Sequence, residues 1–157
     1  MQKISPACPA DVPYLRSLAH DSEAHWGYSP EFMEKFDQDF NITASFLEEN
    51  PVFAAYSGQI LDAFWGMRQS GQGWELEYFY VAEPLLGKGY GKSLWLHLTD
   101  WCRSHQIASF QFVTSHQAIG FYEKMGAVQE GMAVSSIDGR EIPHFYYEIP
   151  ADGRHAR

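Results

Sequence analysis

The segment Leu86–Ser93, LGKGYGKS, sets three glycines in five positions and then a Lys-Ser pair. Glycine lets a backbone close on an anion, and amides at a helix start point their donors outward. Phosphate binding is therefore the chemistry to test. A nucleoside-triphosphate loop requires G-x-x-x-x-G-K-[ST]. Gly91, Lys92 and Ser93 fit its end, but position 86 is Leu86 and the glycine stands at Gly87, one residue too close. A dinucleotide loop, G-x-G-x-x-G, requires glycine where Lys92 stands, after an early strand and with an acidic residue about 20 positions on. A tight turn alone accounts for one glycine, not three. What fits is a diphosphate clamp: Gly87, Gly89 and Gly91 admit the ligand, Tyr90 opens a helix, and Lys88 and Lys92 add charge.

Two further segments carry reactive side chains. WELEYFYV holds Glu75 and Glu77 two apart, on one face of a strand that alternation shares with Phe79 and Val81. SHQAIGFYEKMGA, from Ser115 to Ala127, carries Ala118, Phe121, Tyr122, Glu123, Lys124 and Gly126 at the spacing N-x-x-A-x-x-[FL]-Y-x-K-x-G-F, with Ser115 for Asn and Ala127 for Phe. Leu86–Gly91 matches [R/Q]-x-x-G-x-[G/A] except for Leu86 itself. With both motifs in this order and on these elements, the sequence resembles the GCN5-related N-acetyltransferases (GNAT) along nearly its whole length.

The resemblance implies an acetyl-CoA co-substrate and transfer of the acetyl group to a primary amine by direct attack in a ternary complex. The pyrophosphate would rest on residues 86–93. The backbones of Phe79, Tyr80 and Val81 would pair with the pantetheine arm, one amide polarising the thioester carbonyl. Tyr122 would protonate the departing thiolate, and Glu75 or Glu77 would accept the ammonium proton. His25, Trp26 and Tyr28, in EAHWGYSPEF, would line the acceptor pocket. A packed corner explains those three equally well, and a solvent-facing pair explains the two glutamates. The rival reading is a non-catalytic acyl-CoA-binding module of the same fold, serving as a sensor or partner-binding domain. A longer acyl donor or an O-acyl acceptor stays open.

A strand at KISPA precedes two helices, from Asp11 as cap and from Ser29 as cap, the second lining up Phe32, Phe36 and Phe40. TASFLEEN is a third short helix. Apolar runs around Ser57-Gly58 predict a hairpin, and WELEYFYVAEP a long strand. After the glycine loop follow a helix to His105, the strand ASFQFV, a helix closed by Gly126, and two strands around IDGRE. Hairpins with one strand–helix–strand crossover predict an α+β fold with a mixed sheet, mostly antiparallel and splayed beside the glycine-loop helix. Residues 1–150 read as a single domain and 151–157 as a frayed tail.

The 157 residues carry a net charge of −9, which argues against a nucleic-acid partner. No apolar run approaches the roughly 20 residues of a membrane span. Without a secretory leader, the expected location is cytoplasmic. Cys8 and Cys102 form no disulfide framework, and His20, His97, His105, His116 and His144 have no metal-ligand spacing, so no metal is expected. Expected partners are a small-molecule or peptide amine and, as the resemblance allows, a second copy of the chain.

Overall fold

Short β-branched and aromatic runs separated by glycine turns build a seven-stranded sheet in the computed structural model, which describes residues 3–151. The strands are β1 (Ile4–Pro6), β2 (Val52–Ser57), β3 (Ile60–Ser70), β4 (Gly73–Val81), β5 (Ser109–Val113), β6 (Val128–Val134) and β7 (Glu141–Glu148). The helices are α1 (Val12–Ala24), α2 (Pro30–Lys35), α3 (Ala44–Glu49), α4 (Tyr90–Ser104) and α5 (Ile119–Lys124). Strand order is β1-β2-β3-β4-β5-β7-β6, antiparallel throughout except β4–β5. This is the mixed α+β architecture expected. Residues 152–157 of the anticipated tail lie outside the described residues.

Each side of the sheet is covered by its own core. Leu94, Trp95, Leu98 and Cys102 of α4 pack with Trp65, Met67, Phe110 and Phe145 on one side. Leu15, Leu18 and Ala19 of α1 pack with Met33, Phe36, Phe64 and Tyr78 on the other. Ser29 caps α2 as expected, its Oγ accepting from the Phe32 amide at 3.1 Å. Asp11 does not cap α1; its carboxylate instead accepts from the Cys8 amide and the Tyr56 hydroxyl, each at 2.7 Å. Ser115 likewise makes no side-chain cap. The helix expected to continue through Phe40 ends at Lys35, and Phe36–Phe40 forms a π-helical turn.

Two irregularities in β4 shape the site. Gly66 of β3 pairs with Tyr78 whereas the next residue, Met67, pairs with Leu76, so Glu77 is the extra residue of a bulge. The bulge reverses the alternation. Trp74 and Leu76 join the α4 side and Tyr78 and Tyr80 the α1 side, while Phe79 and Val81 return to α4. Glu75 therefore does not share a face with Phe79 and Val81, contrary to simple alternation. Along the other edge, β4 pairs with β5 at Glu75–Gln111, and beyond that point the ladder opens.

Candidate active site

The glycine loop ends where α4 begins. Gly87 and Gly89 have φ of +78° and +86°, and a Cβ at either would meet nothing within 4 Å. Their role is conformational. Gly89 caps α4 without a side-chain hydrogen bond, and the Ser93 amide is the first to reach back, to the Gly89 carbonyl at 3.1 Å. The amides of Tyr90, Gly91 and Lys92 thus have no acceptor within the helix. Gly91 serves a different purpose: a Cβ there would stand 2.9 Å from Phe121 Cε1, so its absence lets α4 approach α5.

A groove of about 480 Å³ runs from this loop along β4, lined by Trp26, Phe79, Val81, Leu86, the three loop glycines, Lys92 and, from α5 and its approach, Gln117, Phe121, Lys124 and Met125. Leu86 is 49% exposed and Trp26 43%, and both contribute to its apolar wall. The exception in the loop motif is thus an apolar groove residue. Lys88 and Ser93 are exposed and lie outside this lining. Lys124, which the motif spacing matched without assigning a role, supplies a second cation beside Lys92.

Where β4 and β5 part, the groove meets a smaller cavity of about 140 Å³, the two sharing Trp26, Phe79, Val81 and Leu86. The C-terminal end of α1 closes it with Ser22, Glu23, His25 and Trp26, opposite Tyr80, Thr114 and Ser115. The Tyr80 hydroxyl donates to Glu23 Oε2 at 2.8 Å. Burial raises the Glu23 carboxyl above its ordinary value, against the opposing Tyr80 hydrogen bond and Arg140 charge. His25 pairs with Glu83 at the rim. Tyr28 lies outside this lining, stacked on Phe32 at 4.2 Å between ring centroids.

Tyr122 is buried among Phe79, Trp95, Phe112 and Phe121 rather than lining either cavity. Thr114, which does line the smaller one, lies near enough to its hydroxyl to lower the phenol's pKa slightly against burial. Burial pushes its phenol well above the ordinary value, so it stays protonated at working pH.

On the α1 side, a third cavity of about 520 Å³ includes Phe36, Asp39, Phe40, Arg68, Glu77, Tyr78 and Tyr80. Tyr80 is common to it and to the small cavity. Arg68 grips both strand carboxylates, Nη2 to Glu75 Oε1 at 3.0 Å and Nε to Glu77 Oε1 at 3.1 Å. Burial raises the Glu77 carboxyl, Arg68 opposes this, and Glu75 adds to it. Alternation in WELEYFYV identified neither Arg68 nor Glu23: Arg68 sits opposite Glu75 on β3, across the hairpin, and Glu23 meets Tyr80 from 57 positions away. Among the described residues no group of three or more His, Cys, Asp or Glu side chains could hold a metal ion, and no helix is long and apolar enough to cross a membrane.

A family model described as Acetyltransferase (GNAT) family matches residues 13–127. The chain belongs to this family. The GNAT fold is also that of its structural neighbours. A GCN5-related N-acetyltransferase from Rhodopseudomonas palustris superposes with a TM-score of 0.76 at 18% identity, covering 94% of this chain and 96% of that one. PaiA N-acetyltransferase from Thermoplasma acidophilum, solved in complex with coenzyme A, gives 0.73 at 19% identity, covering 93% and 98%. The ribosomal-protein-S18-alanine N-acetyltransferase of Escherichia coli gives 0.70 at 20% identity, covering 95% and 94%. No curated protein matches the chain at the level of sequence.

Proposed function

We propose that this GNAT protein transfers an acetyl group from acetyl-CoA to a primary amine. The observation that carries the reading is continuity: the groove from the uncapped start of α4 shares four residues with the cavity where β4 and β5 separate. The residues suit coenzyme A. Loop glycines at positive φ, free helix amides and two lysines answer a diphosphate, and the apolar wall answers a pantetheine arm. The coenzyme A bound to the Thermoplasma relative supports the same donor class here.

When bound, the acetyl thioester supplies an activated acyl carbon whose C–S bond is exchanged for a C–N bond to the amine. The chain's part is positional and electrostatic. Phe79, Tyr80 and Val81 offer backbone groups at the open edge of β4, and one amide there serves the developing oxyanion. Tyr122 holds its proton behind the cavity wall and passes it by way of the Thr114 hydroxyl to the departing sulfur. His25 and Trp26 border the amine's approach. Glu77, held with Glu75 by Arg68, lines the neighbouring cavity that shares Tyr80 with the small one, and from there the pair draws a cationic acceptor towards this side of the sheet.

Titration calorimetry with acetyl-CoA, followed by free-thiol release across a panel of primary amines, tests the reading. Binding with thiol release supports it, and binding without release favours the non-catalytic module. Absence of acetyl-CoA binding at near-millimolar concentration overturns it.

A further inference from the structure

Two polar groups of the small cavity, Ser22 and Glu23, remain unused by the mechanism above, and they share one character. Glu23 presents a carboxylate with one oxygen, Oε2, occupied by Tyr80. The buried Ser22 Oγ lines the same cavity with no hydrogen-bond partner among the described residues. Both come from the last turn of α1, which ends at Ala24, so the negative end of the helix dipole lies close to them. A hydroxyl acceptor, a carboxylate and a helix C-terminus together attract a cation. At the opposite end of the groove, the N-terminus of α4 attracts an anion.

We propose that the cavity at the end of α1 is the ammonium subsite for the acceptor, and that Glu23 takes the proton that leaves the nitrogen before attack. The proposal rests on the acetyltransferase reading and deepens it. The acceptor arrives as R–NH3⁺, held by Glu23 and Ser22. One N–H bond breaks and its proton passes to the Glu23 carboxylate, whose O–H forms. The nitrogen lone pair so released is the nucleophile. Glu75 and Glu77 are less suited to this step, because Arg68 holds an oxygen of each.

The groups facing Glu23 are Tyr80 from β4, Tyr122 from α5, Arg140 from the β6–β7 turn, and His25 and Glu83 at the rim. Burial outweighs the Tyr80 and Arg140 contributions, leaving the carboxyl with a raised proton affinity. That suits a base near neutral pH better than an ordinary carboxylate.

The cavity, about 140 Å³ and continuous with the groove, has room for a small primary amine. Glu23→Gln and Ser22→Ala test the assignment. In the wild type, kcat/KM for an unhindered primary amine such as n-propylamine rises through an acid limb. Glu23→Gln removes that limb and lowers kcat/KM by about 100-fold or more, with acetyl-CoA affinity by calorimetry within twofold of wild type. Ser22→Ala raises the amine KM several-fold and leaves kcat nearly unchanged. Independently of turnover, with no acyl donor present, the carboxyl ¹³C signal of Glu23 titrates above the usual range and shifts to lower pH on adding n-propylammonium chloride. A wild-type pH profile in Glu23→Gln, or a Glu23 titration indifferent to n-propylammonium, overturns the subsite. Absence of thiol release with every amine overturns the acetyltransferase reading instead.

Discussion

Leu76 and Tyr78 are two residues apart on β4 yet face opposite cores, because Glu77 between them is the extra residue of a bulge. Without the bulge, Tyr78 would join Leu76 on the α4 side and Tyr80 would turn away from Glu23. The bulge thus brings the Tyr80 hydroxyl to α1 while leaving Phe79 and Val81 in the groove that starts at α4. Glu77 itself faces the larger cavity with Asp39 and Arg68. Glu77→Gln removes one carboxylate from the acceptor's approach and should raise the amine KM several-fold. The acid limb of kcat/KM should survive. Loss of that limb in steady-state profiles would return the base to β4.

The glycine loop was legible because its requirements are local: Gly87 and Gly89 need positive φ whatever the rest of the chain does. The apolar spacing of Leu94, Leu98, Trp101 and Cys102 marks the helix after the loop for the same reason; Leu94, Leu98 and Cys102 are buried and Trp101 is half-buried. Alternation assigns Glu75 to the wrong face, since the bulge depends on a partner strand and leaves no trace in alternation. Glu23 was invisible as a site residue; its partner Tyr80 lies 57 positions away. Asp11, read as a cap, is drawn off by Tyr56 across 45 positions. Side-chain pairings over such distances are set by topology, which sequence periodicity does not encode.

Gly89 and Gly91 should fail differently when replaced by alanine. At Gly89 there is room for a methyl but φ is +86°, so the cost is backbone strain of about 1–2 kcal/mol. At Gly91 the methyl would press on Phe121 at 2.9 Å, and overpacking of this kind costs about 1–3 kcal/mol. Gly91→Ala combined with Phe121→Leu should recover much of the lost Tm, whereas Phe121→Leu should do nothing for Gly89→Ala. Equal rescue of both in thermal melts would contradict the distinction.

Leu86 and Trp26 flank the groove that starts at α4 from separate segments, each substantially exposed. Covering such apolar surface on binding is worth about 1–1.5 kcal/mol per large side chain. Leu86→Ala should therefore weaken acetyl-CoA binding by roughly five- to tenfold, since about 1.4 kcal/mol is a factor of ten. The heat-capacity change of binding should become less negative. The kcat at saturating donor should hold. A fall in kcat with unchanged donor affinity would assign Leu86 to the chemistry rather than to the groove.

Glu23 carries a stability consequence with a definite sign. Its folded-state pKa is raised, so between the ordinary carboxylate value of about 4.3 and the raised value the folded protein holds the extra proton. The stability contribution of the protonated carboxyl is fully present below the ordinary value and is lost as pH rises through the folded one. Glu23→Gln, which cannot ionise and still accepts from Tyr80, should melt at or above the wild-type temperature at pH 8. Its relative advantage should shrink towards pH 4. A Tm difference independent of pH would show that Glu23 does not titrate across this range.

Arg140 links the acceptor side to the same carboxylate. Its guanidinium lies 5.1 Å from the Tyr28 ring centroid and 5.9 Å from that of Phe32, tying the β6–β7 turn to the segment after α1. Its charge also favours the ionised form of Glu23. Removing a cation from beside a carboxylate raises the carboxylate's pKa, so Arg140→Met should move the acid limb of kcat/KM to higher pH. Arg140→Lys keeps the charge and should keep the limb near its wild-type position. Both replacements loosen the aromatic contact, at a cost of about 0.5–1 kcal/mol for Met and less for Lys. The shift in the limb, unlike the loss in Tm, therefore separates charge from packing. An acid limb unmoved in Arg140→Met would mean that solvent screens Arg140 from Glu23 and that the turn acts on the site through packing alone.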